Sequence, residues 1–230
     1  MTLGAMWSSI GMMPSLSRIK SDPKVVSWLQ EAWELGLLGP QSFEVQLEHS
    51  IVFARAASEL LAALAVVDPI SFDLGSGAGI PGFVLAYSLP VGSTVYLVES
   101  QVRRAEFLTR QKDAIGFDCQ VVVLNERAEI VGRGREYRGI ASLVVARGFA
   151  GPAITAECAA PLLGIGGALL VSDPPEGGLD RWDPVIMDEL GFERFPLPEE
   201  SVNLSAFLKV KATPDRYPRR VGIPAKRPLF

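Results

Sequence analysis

The chain has 230 residues, 48% hydrophobic and 21% charged, which excludes a disordered chain and supplies one large domain with a substantial core. Cys119 and Cys158 lie far apart and form no CxxC pair, no apolar run reaches the roughly 18 residues of a membrane span, and Met1 to Met13 lacks the charged start of a secretory signal; a cytoplasmic protein without disulfide or metal is expected. A net charge of −4 speaks, as a whole-chain average, against a nucleic-acid binder.

Residues 1–20 are Met- and Ser-rich with weak periodicity and read as a loose arm or short helix. Asp22 and Pro23 form a helix start, an N-cap followed by Pro at the first helical position. Val25, Val26, Trp28, Leu29, Trp33 and Leu37 follow at helical spacing, and Gly36 or Gly39 ends the helix. A second helix is read over 41–64, with Phe43, Leu47, Ile51, Val52, Ala56, Leu60 and Leu64 on one face. From residue 70 short β-rich runs alternate with helices. Strands are predicted at 70–74, 94–98, 119–124, 142–146 and 168–171. Helices are predicted at 81–89, 101–115 (Ser100 cap, Gly116 stop), 126–131, 152–163 and 183–190, the last stopped by Gly191. This alternation means an α/β fold with a mostly parallel, doubly wound sheet. Two final strands, 192–197 and 205–212, leave no room for a helix between them and form an antiparallel hairpin. Three parts follow: an N-terminal helical extension (1–69), a nucleotide-binding-type domain (70–212) and a basic, Pro-rich tail (213–230).

The richest segment is Phe72-Asp73-Leu74-Gly75-Ser76-Gly77-Ala78-Gly79-Ile80-Pro81-Gly82. A strand ends, glycines turn the backbone and leave room for a ligand, and Pro81 opens a helix. Glu99 closes the next strand about 20 residues beyond Gly79, the spacing of a ribose-binding acid. Two registers compete. Gly77, Gly79 and Gly82 satisfy the dinucleotide pattern G-x-G-x-x-G, the mark of an NAD-dependent oxidoreductase. Gly75, Gly77 and Gly79 behind Asp73 resemble motif I of S-adenosylmethionine-dependent methyltransferases. The C-terminal hairpin favours the second.

The loop and its Ile80-Pro81-Gly82 ending resemble the GidB/RsmG family, which methylates guanine N7 in 16S ribosomal RNA. Glu99, Arg103-Arg104 and Phe107-Leu108, then Arg127-Ala128-Glu129, Arg147-Gly148-Phe149-Ala150 and the tail from Arg216 through Pro218, Arg219, Arg220, Gly222, Pro224 and Lys226 to Leu229, resemble further family segments. The resemblance implies a Rossmann-like class I methyltransferase fold with seven strands, using S-adenosyl-L-methionine. It implies that Asp73, Gly75, Ser76, Gly77, Gly79, Ile80, Glu99, Ala128, Glu129 and Arg147 hold the cofactor. Asp73 would help fix the methionine ammonium, Glu99 the ribose, and Ala128 with Glu129 the adenine edge. Gly75 and Ile80 would lie against the ligand. Arg147 is the candidate for positioning, at the mouth of strand four, where a guanidinium can bind a carboxylate or phosphate bidentately. No general base is expected, because N7 already carries a lone pair.

Residues 209–227, at the start of and within the tail, carry Lys209, Lys211, Arg216, Arg219, Arg220, Lys226 and Arg227 against Asp215, a local +6 that leaves −10 for the rest. Read functionally it is a phosphate-tracking arm, with Arg103, Arg104, Arg216, Arg219, Arg220 and Lys226 facing 16S rRNA or the small ribosomal subunit. Action as a monomer is expected. Two segments depart from the family. His49 stands where an Asp-Ser would place its Asp, and Ser172-Asp173 replaces a Lys-Gly after strand five. They leave open a divergent paralogue that keeps the cofactor but has a different RNA substrate or none. Asp173-Pro174-Pro175 reads as a turn, His49 as a hydrogen-bonded structural residue, and a structural salt bridge is the bland reading of Arg147.

Overall fold

The structure, a computed structural model, describes residues 16, 18–174, 178–198, 201 and 203–230. Five parallel strands come first: β1 (Ile70–Leu74), β2 (Thr94–Val98), β3 (Gln120–Leu124), β4 (Ala141–Ala146) and β5 (Leu163–Ser172). β6 (Phe192–Phe195) and β7 (Leu204–Lys209) form the hairpin, and β7 also runs antiparallel to β5. The sheet order is β3-β2-β1-β4-β5-β7-β6. β1 lies between β2 and β4, so the strand order reverses beside it, and ligands of open α/β sheets bind at such a switch point.

Helices cover both faces, and alternate strand residues enter two cores. On one face α1 (Pro23–Glu34), α2 (Phe43–Ala63), α3 (Gly82–Ser88) and α4 (Val102–Ile115) pack on Val95, Leu97, Leu143, Val145 and Leu170. On the other, α5 (Ala128–Arg133), α6 (Pro152–Ala159) and α7 (Pro184–Leu190) pack on Phe72, Leu74, Val144, Leu169 and Phe207. Tyr217, Leu229 and Phe230 of the tail join this second core, and the tail carries the short helix α8 (Ile223–Lys226).

The two N-terminal helices share the first core and are fastened to the sheet domain by polar contacts. Asp22 caps α1 by accepting from Lys24 N–H (2.9 Å) and also accepts from the Tyr87 hydroxyl (2.7 Å). Lys24 Nζ donates to the Ile115 carbonyl at the end of α4 (2.7 Å), a cation at a helix C-terminus.

Several expected boundaries move. α4 is capped by Gln101 rather than Ser100, because the Glu99 carboxylate takes the Gln101 N–H. α5, the third helix of the domain, starts at Ala128, two residues later than expected. The helix expected over 152–163 stops at Ala159, and β5 starts at Leu163, five residues before the expected strand. Glycines hid this first half of β5: a Cβ on Gly167 would stand 2.7 Å from the Ala141 carbonyl oxygen, so only glycine lets the two backbones approach. The hairpin strands are shorter than expected, ending at Phe195 and Lys209. Most of the expected N-terminal arm, and Pro175 of the expected turn, lie outside the described residues.

Candidate functional site

The glycine loop leaves β1 at the switch point. Gly75 N–H and Ser76 N–H both donate to the Val98 carbonyl at the end of β2 (2.9 and 3.1 Å), and Gly79 N–H closes the turn on Ser76 O (2.7 Å). The Ser76 hydroxyl donates to the Asp73 carbonyl (2.9 Å). Gly75 has φ +68°, and a Cβ there would stand 2.7 Å from Phe149 Cδ2, so the loop and the segment after β4 close on each other through a missing side chain. α1 grips the loop from behind: Trp28, 1% exposed, donates its indole N–H to the Ala78 carbonyl (2.8 Å).

Glu99 is buried and joins the loop to the next turn. Its Oε2 accepts from Gly77 N–H (3.0 Å) and its Oε1 from Gln101 N–H (2.8 Å). Asp73 is also buried. Its Oδ2 accepts from Gly82 N–H at the start of α3 (3.2 Å), while Oδ1 has no hydrogen-bond partner among the described residues. Burial pushes the Asp73 carboxyl up to about 7, helped by the nearby Glu99 charge and opposed by Arg147.

In front of the loop lies a cleft of about 280 Å³. Gly75, Glu99, Arg104, Ala128, Glu129, Phe149, Cys158 and Ala225 are among its lining residues. A larger hollow, about 850 Å³, lies beside the hairpin against Trp182, Phe192, Phe207 and Phe230. It has neither the glycine loop nor the strand-end acid, so the smaller cleft is the candidate site. Burial pushes the Cys119 thiol up to about 11 and the Cys158 thiol up further, so neither offers a thiolate at neutral pH.

The sequence-expected residues are not all in one place. Glu99, Ala128 and Glu129 meet Gly75 at the cleft. Ile80 is 8% exposed and packs in the first core. Glu129 is buried and accepts from Arg127 Nη2 (3.0 Å) and Gly222 N–H (3.0 Å). Burial raises its pKa, but these donors together hold the carboxyl below its ordinary value. Arg147 reaches α2, where it donates to Ser50 Oγ (3.3 Å) and Gln46 Oε1. Among the described residues no carboxylate pairs with it, so the salt-bridge reading of Arg147 fails.

His49 departs from expectation too: its Nδ1 is buried without a hydrogen-bond partner among the described residues, and burial, with the Arg147 charge beside it, holds its pKa below the ordinary value. Glu48 pairs outward with Lys20. Asp173 is buried, where it accepts from Ser205 Oγ, Arg181 Nη1 (3.3 Å) and Trp182 Nε1 (3.4 Å), and so ties the end of β5 to β7.

The expected RNA-facing cations also separate. Arg104 lines the cleft, whereas Arg103 donates to the Leu35 carbonyl at the end of α1 (3.3 Å). Arg216 pairs with Glu189 (2.7 Å), and Arg219 forks onto the fully buried Glu157 (2.8 and 2.6 Å). Arg220 and Lys226 have no ion pair among the described residues. Sequence reading missed Gln46, Ser50 and Trp28 as parts of the site. The signal for the first two was available: polar residues four apart on a helix, on the face that the apolar positions bury.

A parallel sheet ending in a reversed β7, with a glycine loop and a strand-end acid at its switch point, defines the class I methyltransferase architecture. A mutant of MtNAS solved in complex with S-adenosylmethionine has this fold, with TM-score 0.53 at 16% identity over 91% of this chain and 82% of that one. Residues 34–172 match the GidB family, rRNA small subunit methyltransferase G. Ribosomal RNA small subunit methyltransferase G of Syntrophomonas wolfei is 34% identical over 211 residues, 87% of this chain and 94% of that protein. The protein of that name from Rubrobacter xylanophilus is 31% identical over 97% of this chain and 87% of its own length. The chain therefore belongs to the GidB family of rRNA methyltransferases, and the nicotinamide register of the glycine loop is set aside.

Proposed function

We propose that the protein transfers a methyl group from S-adenosylmethionine to N7 of a guanine in 16S ribosomal RNA. The observation that carries this reading is the Glu99 carboxylate braced on the glycine loop, at the cleft of a chain that belongs to the GidB family.

The residues present fit the cofactor. Asp73 Oδ1 is a buried acceptor without a donor among the described residues, suited to an ammonium. A Cβ on Gly77 would meet nothing nearer than Gly75 O at 3.7 Å, so the outer side of the loop is open. Each Glu99 oxygen takes one amide and keeps a lone pair for a ribose hydroxyl. Ala128 and Glu129 stand across the cleft for the adenine edge.

When bound, the cofactor supplies a methyl group on a sulfonium, whose S–C bond breaks as the N7–C bond forms. Guanine N7 needs no deprotonation, so the chain's task is alignment and charge placement. Arg147 presents a cation whose present partners are both neutral, ready for a carboxylate or phosphate. Of the cations expected to face RNA, Arg104 at the cleft and Arg220 and Lys226 on the tail remain for RNA phosphates.

The test is transfer of labelled methyl groups to small ribosomal subunits from a strain lacking this enzyme, followed by mass mapping of 7-methylguanine. Label on a 16S guanine N7 is expected. Binding of S-adenosylhomocysteine without any transfer to 16S rRNA overturns the substrate and favours the divergent paralogue.

A further inference from the structure

The tail is anchored along its length to the helices beside the cleft. Arg138 donates from Nη2 to the Thr213 carbonyl (3.0 Å) and from Nη1 to the Tyr217 carbonyl (2.8 Å). Arg133 Nη1 holds the Pro218 carbonyl (2.9 Å). The fork from Arg219 to Glu157 is joined by the Arg219 backbone N–H on the same carboxylate (2.8 Å). An ion pair with a fully buried acid and three hydrogen bonds is a fixed joint rather than a solvated, mobile arm.

The joint places the next residues at the cleft. Gly222, in left-handed conformation (φ +78°), turns the chain and gives its N–H to Glu129 Oε1 (3.0 Å). α8 begins one residue later, and its Ala225 lines the same cleft as Gly75, Glu99, Ala128 and Glu129. The Glu129 carboxylate thus takes two hydrogen bonds from Arg127 and one from the tail. The tail also supplies a wall of the cavity.

We propose that the C-terminal strap, residues 213–230, is a structural wall of the cofactor site, with Gly222 positioning Glu129 and Ala225 bounding the adenine end, so that the strap sets cofactor affinity in the absence of RNA. The proposal rests on the methyltransferase reading and goes beyond it, because a basic tail in an RNA-modifying enzyme otherwise reads only as a phosphate arm. Two of the strap's cations are committed to the fold rather than free for such an arm: Arg216 and Arg219 are paired with Glu189 and Glu157.

The test uses the full chain and S-adenosylhomocysteine, without RNA. Ala225→Trp fills the cleft from the strap side and is expected to weaken binding about tenfold or more by calorimetry, with the thermal midpoint of the free protein unchanged. Ala225→Leu is a smaller plug for the case in which Trp disturbs folding, and a weaker loss in the same direction is expected. In the unaltered protein, hydrogen exchange of the segment around Gly222 is expected to slow when S-adenosylhomocysteine binds. Equal affinity in both variants, or unchanged exchange around Gly222, overturns the proposal. Failure of the unaltered protein to bind S-adenosylhomocysteine removes the methyltransferase reading as well, so the two failures are distinguishable.

Discussion

The Arg147 guanidinium, at the end of β4, is held on α2 by the neutral side chain of Gln46. Ser50, one turn further along the same helix, accepts a second hydrogen bond at 3.3 Å. A largely buried cation is ordinarily paired with an acid; here the charge is oriented without being neutralised, which suits a site awaiting an anion. Gln46→Ala should therefore weaken S-adenosylhomocysteine binding modestly. Gln46→Glu should weaken it more, by about tenfold, because a carboxylate at 46 would claim the guanidinium. The thermal midpoint should move the other way, with the Glu variant more stable than the Ala variant. Tighter binding by Gln46→Glu than by Gln46→Ala would show that Arg147 does not meet an anionic group of the ligand.

Trp28 couples the N-terminal helices to the loop. Its ring meets Phe83 edge-on, with centroids 5.1 Å apart, while its N–H holds the Ala78 carbonyl. Trp28→Phe keeps most of the packing and leaves that carbonyl without its donor, a cost of about 1–3 kcal/mol in urea unfolding. Trp28→Ala should cost about 3–5 kcal/mol through the cavity it opens. Full stability in the Phe variant would mean that another group takes over the Ala78 carbonyl.

The strands on either side of the glycine loop were legible residue by residue. β1 and β2 are short runs rich in β-forming residues that end at a glycine turn and an acid, and both ends fall where the pattern stops. The first half of β5 was hidden because Gly164, Gly166 and Gly167 look like a turn, whereas two of them serve close backbone approach. The motif residues of the loop were legible for the same reason as the strands: their chemistry is local. The tail was not. Its charge could be counted, but Arg216 finds Glu189 27 residues away and Arg219 finds Glu157 62 residues away, and no local pattern reports such pairs. The polar face of α2 was missed because helical periodicity marks apolar positions and passes over a Gln and a Ser buried among them.

Asp73 gives cofactor binding a pH dependence. With its carboxyl pushed up to about 7, the acid is mostly protonated below that pH and must lose the proton to face a cationic ammonium. Affinity for S-adenosylhomocysteine should then be about tenfold weaker at pH 6 than at pH 8. Asp73→Asn should bind weakly at both and show little slope. Calorimetry across this range decides it: equal affinity of the native protein at pH 6 and pH 8 would mean that Asp73 does not change its protonation on binding.

Lys209 gives stability a dependence of its own. Its side chain is buried at the end of β7, with Nζ donating to the Leu190 carbonyl and the Thr213 hydroxyl and lying 5.2 Å from the Phe192 ring centre. Burial pushes its pKa down to about 7, and the charges of Arg138 and Lys211 act in the same direction. The unfolded chain keeps this proton up to the ordinary lysine range, so between about 7 and that range the unfolded state binds more protons. Stability should rise as pH increases through this window. Asp73, with its carboxyl pushed up to about 7, acts in the opposite sense around that pH, and Cys119 and Cys158, whose thiols are pushed up, do so only as pH enters the ordinary thiol range, so the share of the lysine is the difference between the native protein and Lys209→Met over pH 7 to 8. The urea midpoint of the native protein should be higher at pH 8 than at pH 7, and Lys209→Met should flatten the difference. A Met variant with the same slope as the native protein would assign the dependence to another group.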